Sequence, residues 1–356
     1  RLPPLGKTPA PQTLMALTKP RFEESPLEAP EAFRKALGVW FSKDGKDFPW
    51  RRTSDPYAIL VSEMMLQQTR VATVLGKGYY TRFLAEFPDV GALAAADDTR
   101  LLKAWEGLGY YRRARMLRDA ASAVLDIHRG VFPSGEKELL ALPGIGPYTA
   151  AALLSFSFGK PSALVDGNVS RVLSRLMDDP ATIDSAATIK QHRKWALSLC
   201  NSEDPRRHHY AMMELGQTIC RPGSPLCEMC PVTRFCKARE PENLPVKKKA
   251  PAVTKITEYA IWCRDATGRI LLHCESGSRR KGLWKLPLRS AESCSALKMI
   301  FDTTYPITRY KVHLKVHEAE TEPPANGEEW IAPERLGSLP VAAPFRKALN
   351  RLLSDF

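Results

Sequence analysis

The sequence predicts a multidomain protein in which a larger all-α domain is followed by a smaller α+β domain. Apolar residues recur with helical spacing from about residue 32 to residue 235. The segment 241–252, PENLPVKKKAPA, combines prolines with three consecutive lysines and offers nothing to pack. Beyond it, apolar and polar residues alternate as they do in strands. We therefore expect an all-α domain over 31–240, a linker over 241–252 and an α+β domain over 253–356.

The first residues of the chain are rich in proline and contain an internal methionine, Met15. Such a segment buries little apolar surface, so we expect residues 1–30 to form a disordered leader. The apolar stretches are too short to span a membrane, and no secretory signal is recognisable. These features predict a protein without a membrane anchor, in a reducing compartment.

The chain is strongly basic. It has 52 lysines and arginines against 39 aspartates and glutamates, which gives a net charge of +13. Such an excess is typical of proteins that bind polyanions such as nucleic acids. Charge alone is weak support, because many basic proteins bind no nucleic acid.

The segment DPYAILVSEMMLQQT is predicted to contain a helix. Asp55 can cap this helix, and Pro56 can occupy its first position. Glu63 then falls on an apolar face. Burial there raises the pKa of a carboxyl, which would suit Glu63 to donate a proton near neutral pH. The alternative is an ordinary solvated or salt-bridged helix glutamate, which the isolated pattern favours.

The run LPGIGPYTAAALLSF, which begins at Leu142, places Gly144 and Gly146 in a turn that opens directly into a helix. Backbone amides exposed in such a turn can hold a phosphate, since a helix N-terminus carries partial positive charge. The simpler interpretation is a glycine-proline turn that joins two helices. The positive charge of the chain favours contact with DNA.

Asp166 follows the apolar residues Ala163-Leu164-Val165 and precedes a predicted helix that begins near Val169. A carboxylate at a helix N-terminus is stabilised in its ionised form, so Asp166 could stabilise positive charge on a sugar. It could equally be only a capping residue. Glu63, whose pKa is expected to be raised, and Asp166, whose pKa is expected to be lowered, together resemble the pair of carboxyls used in glycoside cleavage.

Four cysteines, Cys220, Cys227, Cys230 and Cys236, form the pattern C-x6-C-x2-C-x5-C. Soft thiolate ligands at this spacing suit an iron-sulfur cluster or a tetrahedral zinc ion, and the spacing does not separate the two. A disulfide framework is less favoured, because the other four cysteines are scattered along the chain.

In the C-terminal part, ITEYAIWC and RILLHCE flank Asp265-Ala266-Thr267-Gly268 in the manner of a β-hairpin. The segment ITRYKVHLKVHEAE alternates like a further strand. These elements predict a small α+β domain.

Taken together, LPGIGPYT, VDGNVSRVLSR and the four-cysteine run resemble the endonuclease III superfamily of helix-hairpin-helix DNA glycosylases. The segments VSEMMLQQTRV and KAWEGLGYYRRAR are similar to MutY-type adenine glycosylases within it, and the likeness covers about 30–245. The resemblance implies that loop 220–236 holds a 4Fe-4S cluster.

The resemblance also implies catalytic roles. Glu63 would protonate the adenine and later help to activate water, and Asp166 would stabilise the oxocarbenium-like sugar. Tyr148 and Asn168 match supporting positions. Tyr148 stands where bifunctional relatives have a lysine, and because a phenol forms no Schiff base, the resemblance implies a monofunctional glycosylase.

DNA contacts follow from the same resemblance. The expected partner is double-stranded DNA with adenine opposite 8-oxoguanine, bound by a monomer in the cytoplasm of a bacterium. Because the base must be flipped out of the duplex, some residues have to fill its place. The residues assigned to the base pocket or to the duplex are Arg51, Gln67, Gln68 and Tyr110.

The GLWKLP segment from Gly282 resembles the Nudix-related domain with which MutY proteins read oxidised guanine, although the glutamate-rich Nudix box is missing. Where these proteins usually present Phe-Ser-His, this chain has Arg309, Tyr310 and Lys311. They are assigned as lesion contacts, with an ordinary charged strand face as the alternative.

Three other functions remain open from the sequence. A relative that acts on another base, or that has lost its preference for 8-oxoguanine, would share the fold and the cysteines. A pyrimidine-lesion glycosylase should have a lysine in place of Tyr148. A non-catalytic iron-sulfur protein that binds DNA would leave Glu63 and Asp166 unexplained.

Overall fold

The computed structural model describes residues 25–249, 251–277 and 280–354. Most of the leader expected over residues 1–30 lies outside these ranges. Its last residues differ from the expectation, because Leu27 is buried and packs with residues of the helical core. The first helix then begins at Pro30.

The first part of the described chain is helical, as predicted. Its α-helices are α1 (Pro30–Asp44), α2 (Pro56–Leu66), α3 (Val71–Gly76), α4 (Tyr79–Glu86), α5 (Val90–Ala94), α6 (Asp98–Ala104), α7 (Arg112–His128), α8 (Glu136–Ala141), α9 (Pro147–Phe156), α10 (Gly167–Met177), α11 (Ala186–Leu199) and α12 (Pro205–Thr218). The turn 142–146 joins α8 to α9 and is the predicted glycine-proline turn.

Two of these helices lie in the interior over nearly their whole length. In α2 the buried residues run from Tyr57 to Met65, and in α9 they run from Thr149 to Phe156. Their sequences are apolar on all sides, which is typical of helices surrounded by other elements. The two helices pack against each other, so residues on their facing sides meet in the middle of the domain.

The C-terminal part contains both strands and helices. Its elements are β1 (Thr254–Trp262), β2 (Ile270–Cys274), β3 (Trp284–Lys285), β4 (Leu288–Arg289), α13 (Ala291–Cys294), β5 (Met299–Ile307), β6 (Tyr310–Glu318), β7 (Glu328–Ile331) and α14 (Ala343–Ser354). They form a sheet in the order β4-β1-β6-β5 and a sheet in the order β3-β2-β7. The mixture of sheets and helices agrees with the predicted α+β class.

The predicted hairpin between the first two strands forms at their ends, beside the turn 265–268, but does not continue along the strands. β1 pairs in parallel with β6 and antiparallel with β4, whereas β2 belongs to the other sheet. At the strand ends, Arg264 and Ile270 form an antiparallel bridge, and the amide of Leu271 donates a hydrogen bond of 3.1 Å to the carbonyl of Cys263. Because both edges of β1 are already paired, β2 has no free edge to join.

The expected linker 241–252 is partly packed. Leu244 is buried, and its carbonyl accepts a hydrogen bond of 2.9 Å from Nε of Arg175 in α10. The carbonyl of Val246 accepts one of 3.0 Å from the amide of Ile183. The expectation that this segment has nothing to pack is therefore wrong for its first half, because its aliphatic residues reach the helical domain.

The C-terminal domain docks on the helical domain around α6 and the start of α7. Arg346 in α14 donates a hydrogen bond of 2.7 Å to Oε1 of Glu106. Arg115 in α7 donates one of 2.5 Å to the carbonyl of Lys281. Glu106 stands in the turn between α6 and α7 that also carries Tyr110, so the C-terminal domain contacts this turn.

No helix within the described ranges combines the length and the apolar composition needed to cross a bilayer.

Candidate active site

Glu63 lies in the interior of the protein, in the second half of α2. Asp55 caps this helix through the amides of Tyr57 and Ala58, and Pro56 occupies its first position, as the sequence predicts. Glu63 is only 4% exposed. Burial disfavours its charged form and raises its pKa from 4.5 to about 7. Glu63 can therefore carry a proton near neutral pH.

Tyr148 is the direct partner of Glu63. It stands in the first turn of α9, and its hydroxyl donates a hydrogen bond of 2.7 Å to Oε2 of Glu63. Burial raises the pKa of Tyr148 well above 10, so the phenol remains a donor. The hydrogen bond stabilises the charged form of Glu63 and offsets part of the effect of burial on its pKa.

Asp166 caps α10, as predicted. Its Oδ1 accepts a hydrogen bond of 2.7 Å from the amide of Val169, and its Oδ2 accepts one of 2.9 Å from Nδ2 of Asn168. The expected lowering of its pKa is wrong. Burial raises the pKa of Asp166, and the hydrogen bonds together with the charge of Arg171 offset this only in part. The charge of Asp166 in turn adds to the raised pKa of Glu63.

Asn168 connects Asp166 to the cysteine loop. Its Oδ1 accepts a hydrogen bond of 2.9 Å from Nη2 of Arg171. The same guanidinium donates to the carbonyls of Gly216 at 2.7 Å and Cys220 at 2.9 Å. Asn168 therefore belongs to a buried polar network that runs from the carboxylate to the first cysteine.

Arg51 lies inside the helical domain. Its Nη1 lies 2.5 Å from Oε2 of Glu214, and both side chains are largely buried. The guanidinium lies over the rings of Phe48 and Tyr210, at 4.7 and 4.8 Å from their centroids. It also lines a cavity of about 350 Å³ together with Tyr210. Arg51 is therefore a buried, paired cation beside a cavity.

The sequence reasoning missed Glu214 and Tyr210, which both lie in α12. Burial raises the pKa of Tyr210 and the charge of Glu63 adds to this rise, so the phenol is close to the candidate acid. The pattern YAMMEL offered a comparable signal, a glutamate on an apolar helix face: Glu214 follows Tyr210 by four residues, as Glu63 follows Ile59.

Gln67 and Gln68 lie at the C-terminal end of α2, and Tyr110 lies in the turn between α6 and α7. Gln67 is the C-cap of α2, and the exposed Gln68 follows with a φ of 58°. Tyr110 lies two residues before α7, is 50% exposed and has a φ of 48°. All three therefore lie at or near the surface, next to the ends of helices that line the site.

Gly144 and Gly146 lie in the turn between α8 and α9. Gly144 has a φ of 72°, a conformation that favours glycine, and a Cβ there would lie 2.7 Å from Cβ of Met116. Gly146 is the N-cap of α9, two residues before Tyr148. The turn that is expected to contact a DNA phosphate therefore leads directly into the helix that carries Tyr148, the hydrogen-bond partner of Glu63.

Arg309, Tyr310 and Lys311 lie at the tip of the β5–β6 hairpin. Arg309 is in the turn, and β6 begins at Tyr310. The guanidinium of Arg309 lies 5.1 Å from the ring centroid of Tyr310 and donates to its hydroxyl at 3.0 Å. The three residues belong to the C-terminal domain, whereas Glu63 and Asp166 belong to the helical domain.

The four cysteines lie in the loop after α12. Among the described residues, no three or more His, Cys, Asp or Glu side chains form a group that could hold a metal ion as they stand. Burial and the other three cysteines, Cys220, Cys236 and Cys227, raise the pKa of Cys230 to about 11.

The cysteine loop nevertheless fits a soft metal centre in the number and kind of its donors. The four thiols are near enough to affect one another's ionisation. Nη1 of Arg175 donates to Sγ of Cys220 at 3.3 Å, and a cation at this place favours a thiolate.

Part of this chain is similar in sequence to a known protein family and to several known enzymes. Residues 61–196 match the family described as HhH-GPD superfamily base excision DNA repair protein. Human adenine DNA glycosylase is 40% identical over 220 residues, which are 59% of this chain and 40% of the relative. Adenine DNA glycosylase of Mycobacterium tuberculosis is 36% identical over 197 residues, which are 55% of this chain and 64% of the relative.

The chain thus spans about half the length of the curated relatives it matches. Among solved structures, a thermostable thymine-DNA glycosylase is 29% identical with a TM-score of 0.53 and covers 59% of this chain and 96% of its own. An endonuclease III trapped on DNA is 24% identical with a TM-score of 0.50, covers 60% of this chain and 97% of its own, and shows the common fold.

Proposed function

We propose that this chain, whose residues 61–196 form an HhH-GPD domain of the MutY type, is a monofunctional adenine DNA glycosylase of base excision repair. It would hydrolyse the N-glycosidic bond of adenine mispaired with 8-oxoguanine or guanine. The observation that carries the proposal is the buried Glu63, which has a pKa of about 7, a hydrogen bond from Tyr148 and a second carboxyl, Asp166, close by.

Glu63 is the general acid in this proposal. A purine leaves the sugar more easily when a ring nitrogen is protonated, because the departing base then carries no negative charge. A carboxyl with a pKa of about 7 is partly protonated at neutral pH and can donate this proton. After the base has left, the resulting carboxylate can accept a proton from the attacking water.

Asp166 supports the sugar. As the base departs, positive charge develops at C1′ and the ring oxygen, and a fixed carboxylate nearby stabilises it. The hydrogen bonds from Val169 and Asn168 hold the carboxylate in one orientation. Burial raises the pKa of Asp166, and these bonds oppose that rise by stabilising the charged form.

The reaction requires the adenosine to leave the duplex. Gln67, Gln68 and Tyr110 are exposed or lie at loop ends beside the helices of the site, and we assign them to the space that the flipped nucleotide leaves. Gly144 and Gly146 would bind the phosphate backbone. Arg51 would line the base pocket in its pair with Glu214.

A monofunctional mechanism follows from Tyr148, whose phenol occupies the position where a Schiff-base lysine would be needed. Water is then the nucleophile, and the products are free adenine and an abasic site in an intact strand.

The C-terminal domain would read the base opposite the adenine. We assign it as Nudix-like, with Arg309, Tyr310 and Lys311 at a hairpin tip that can reach a second DNA strand. The paired arginine and tyrosine offer a ring for stacking and a donor for hydrogen bonds. The enzyme would act as a monomer, and a bacterial source stays a prediction because the relatives are human as well as bacterial.

A 4Fe-4S cluster is the proposed cofactor, with Cys220, Cys227, Cys230 and Cys236 as its ligands. When bound, it would fix the conformation of loop 220–236. Arg171 and Arg175 would then hold this loop against α10 through their hydrogen bonds to Cys220.

The test is single-turnover release of adenine from duplexes with adenine opposite 8-oxoguanine, guanine or thymine, followed by alkali to reveal abasic sites. We expect release opposite 8-oxoguanine and guanine, with 8-oxoguanine preferred. Equal rates would mean that the lesion is not read.

Thymine opposite guanine belongs in the same panel, because one similar structure is a thymine-DNA glycosylase. Release of thymine and not adenine would replace the proposed substrate. Glu63→Gln should abolish release while DNA binding survives, and unaltered release would remove the mechanism.

A further inference from the structure

Arg113, in the first turn of α7, joins two separate loops. Its side chain is buried, and its guanidinium donates to five backbone carbonyls. Three of them lie at the end of α2, namely those of Met64 at 2.7 Å, Met65 at 3.2 Å and Gln67. Two lie in the turn before α7, namely those of Leu108 and Gly109, both at 3.1 Å.

Two of these carbonyls directly precede residues with unusual backbone conformations. The carbonyl of Gln67 belongs to the peptide that leads into Gln68, which has a φ of 58°. The carbonyl of Gly109 belongs to the peptide that leads into Tyr110, which has a φ of 48°. Positive φ at residues other than glycine costs free energy and persists only where the surroundings enforce it.

Arginine suits this position for physical reasons. The last carbonyls of a helix have no partner within the helix, and a cation there is favourable. A planar guanidinium can donate in several directions at once, whereas an ammonium is a compact point charge. Trp105 and Tyr110 flank the group at 5.6 Å, and Trp105 also donates to the carbonyl of Gly109 at 3.2 Å.

We propose that Arg113 is a positioning residue for base flipping, which fixes Gln68 and Tyr110 so that they meet the duplex as one rigid unit. The inference rests on the proposed function, because these two residues are assigned to the space left by the flipped nucleotide. Arg113 itself is buried, so it would act through the two loops and not through its own contact with DNA.

The test compares Arg113→Lys with Arg118→Lys in the same helix. Arg118 binds the carbonyl of Ala96 and the carboxylate of Asp98, and it has no part in the two loops. Each variant is assayed in single turnover at saturating enzyme, so that the rate reports only folded, DNA-bound protein. One duplex has adenine paired with 8-oxoguanine, and the other has adenine opposite an abasic-site analogue.

We expect Arg113→Lys to slow release from the paired duplex by about 100-fold, as for a misplaced positioning group. Release from the duplex whose adenine is already unpaired should fall far less, because its flipping costs less. The fluorescence of a 2-aminopurine next to the adenine should increase when the unsubstituted protein binds the duplex. With Arg113→Lys this increase should be absent. Arg118→Lys should behave like the unsubstituted protein, and DNA affinity should change little in both.

Unchanged release and fluorescence in Arg113→Lys would overturn the inference, and so would an equal loss on both duplexes, which indicates a collapsed active site. Failure of the proposed function is a separate outcome, in which the unsubstituted protein releases no adenine from any duplex. The fluorescence measurement still decides the role of Arg113 in that case.

If Arg113→Lys does not fold, hydrogen exchange in the unsubstituted protein gives the answer. Peptides that cover 64–70 and 107–113 should open together with the same free energy, since one guanidinium holds both. Independent opening of the two segments would overturn the inference.

Discussion

The hydroxyl of Tyr148 donates a 2.7 Å hydrogen bond to Oε2 of Glu63, although 85 positions separate the two residues in the chain. This bond opposes the larger effect of burial on the pKa of Glu63, which is about 7. The pair therefore sets the pH range in which the candidate acid carries its proton.

The pH dependence of adenine release should follow this pair. Since the proposed acid is the protonated form of Glu63, the single-turnover rate should fall as pH rises through about 7. Tyr148→Phe removes a bond that favours the charged form, so its alkaline limb should lie at higher pH. Tyr57→Phe is a matched control, because its hydroxyl bonds the carbonyl of Phe87 at 2.7 Å. An identical limb in Tyr148→Phe and the control would contradict this role.

Glu63 should also make stability depend on pH. Its pKa is 4.5 unfolded and about 7 folded, so the folded state binds more protons between these values and stability falls as pH rises through them. The loss amounts to about 3 kcal/mol. Glu63→Gln should lack this loss when urea midpoints at pH 5 and pH 8 are compared. Glu86→Gln, an exposed control, should keep it, and the prediction fails if both variants behave alike.

Asp166→Asn should separate charge from capping. Asparagine caps a helix about as well as aspartate, so the melting temperature should change little. The negative charge that is proposed to stabilise the sugar is lost, so adenine release should slow by about 100-fold or more. Asp97 caps α6 in the same way through the amide of Arg100, so Asp97→Asn is the control. Equal rates in the two variants would remove Asp166 from the mechanism.

The ion pair between Arg51 and Glu214 should be essential for stability. Glu214→Gln leaves a buried guanidinium without its countercharge, which costs about 3 kcal/mol. The neighbouring pair of Arg52 and Asp47 is exposed, so Asp47→Asn should leave the denaturation midpoint nearly unchanged. A similar midpoint in both variants would show that the buried charge is compensated elsewhere.

The cysteine loop should bind iron and labile sulfide. Purified protein should absorb visible light and contain about four irons per chain, as expected for a 4Fe-4S cluster. Cys236→Ser should lower the iron content, whereas Cys294→Ser, outside the loop, should not. Because metal binding is coupled to the folding of its loop, removal of iron should lower the melting temperature. A colourless protein with stoichiometric zinc would contradict the cluster.

The sequence by itself determined the features that depend on near neighbours. Asp55 and Asp166 cap helices through amides two or three residues away, and the alternation in ITRYKVHLKVHEAE marks the strand Tyr310–Glu318. The spacing of the cysteines is likewise a local property. Such patterns are visible without a fold, because every group involved lies within a few residues.

The tertiary structure decided what depends on distant partners and on burial. It brought Tyr148 to Glu63, and Arg51 to a glutamate 163 positions away. It also determined the pKa of Asp166. Burial raises this pKa by more than the hydrogen bonds at the helix N-terminus, which the sequence predicted, can lower it. It also paired β1 with β6 and not with β2. Solvent exclusion and long-range pairing arise only when the whole chain has packed, so no local pattern contains them.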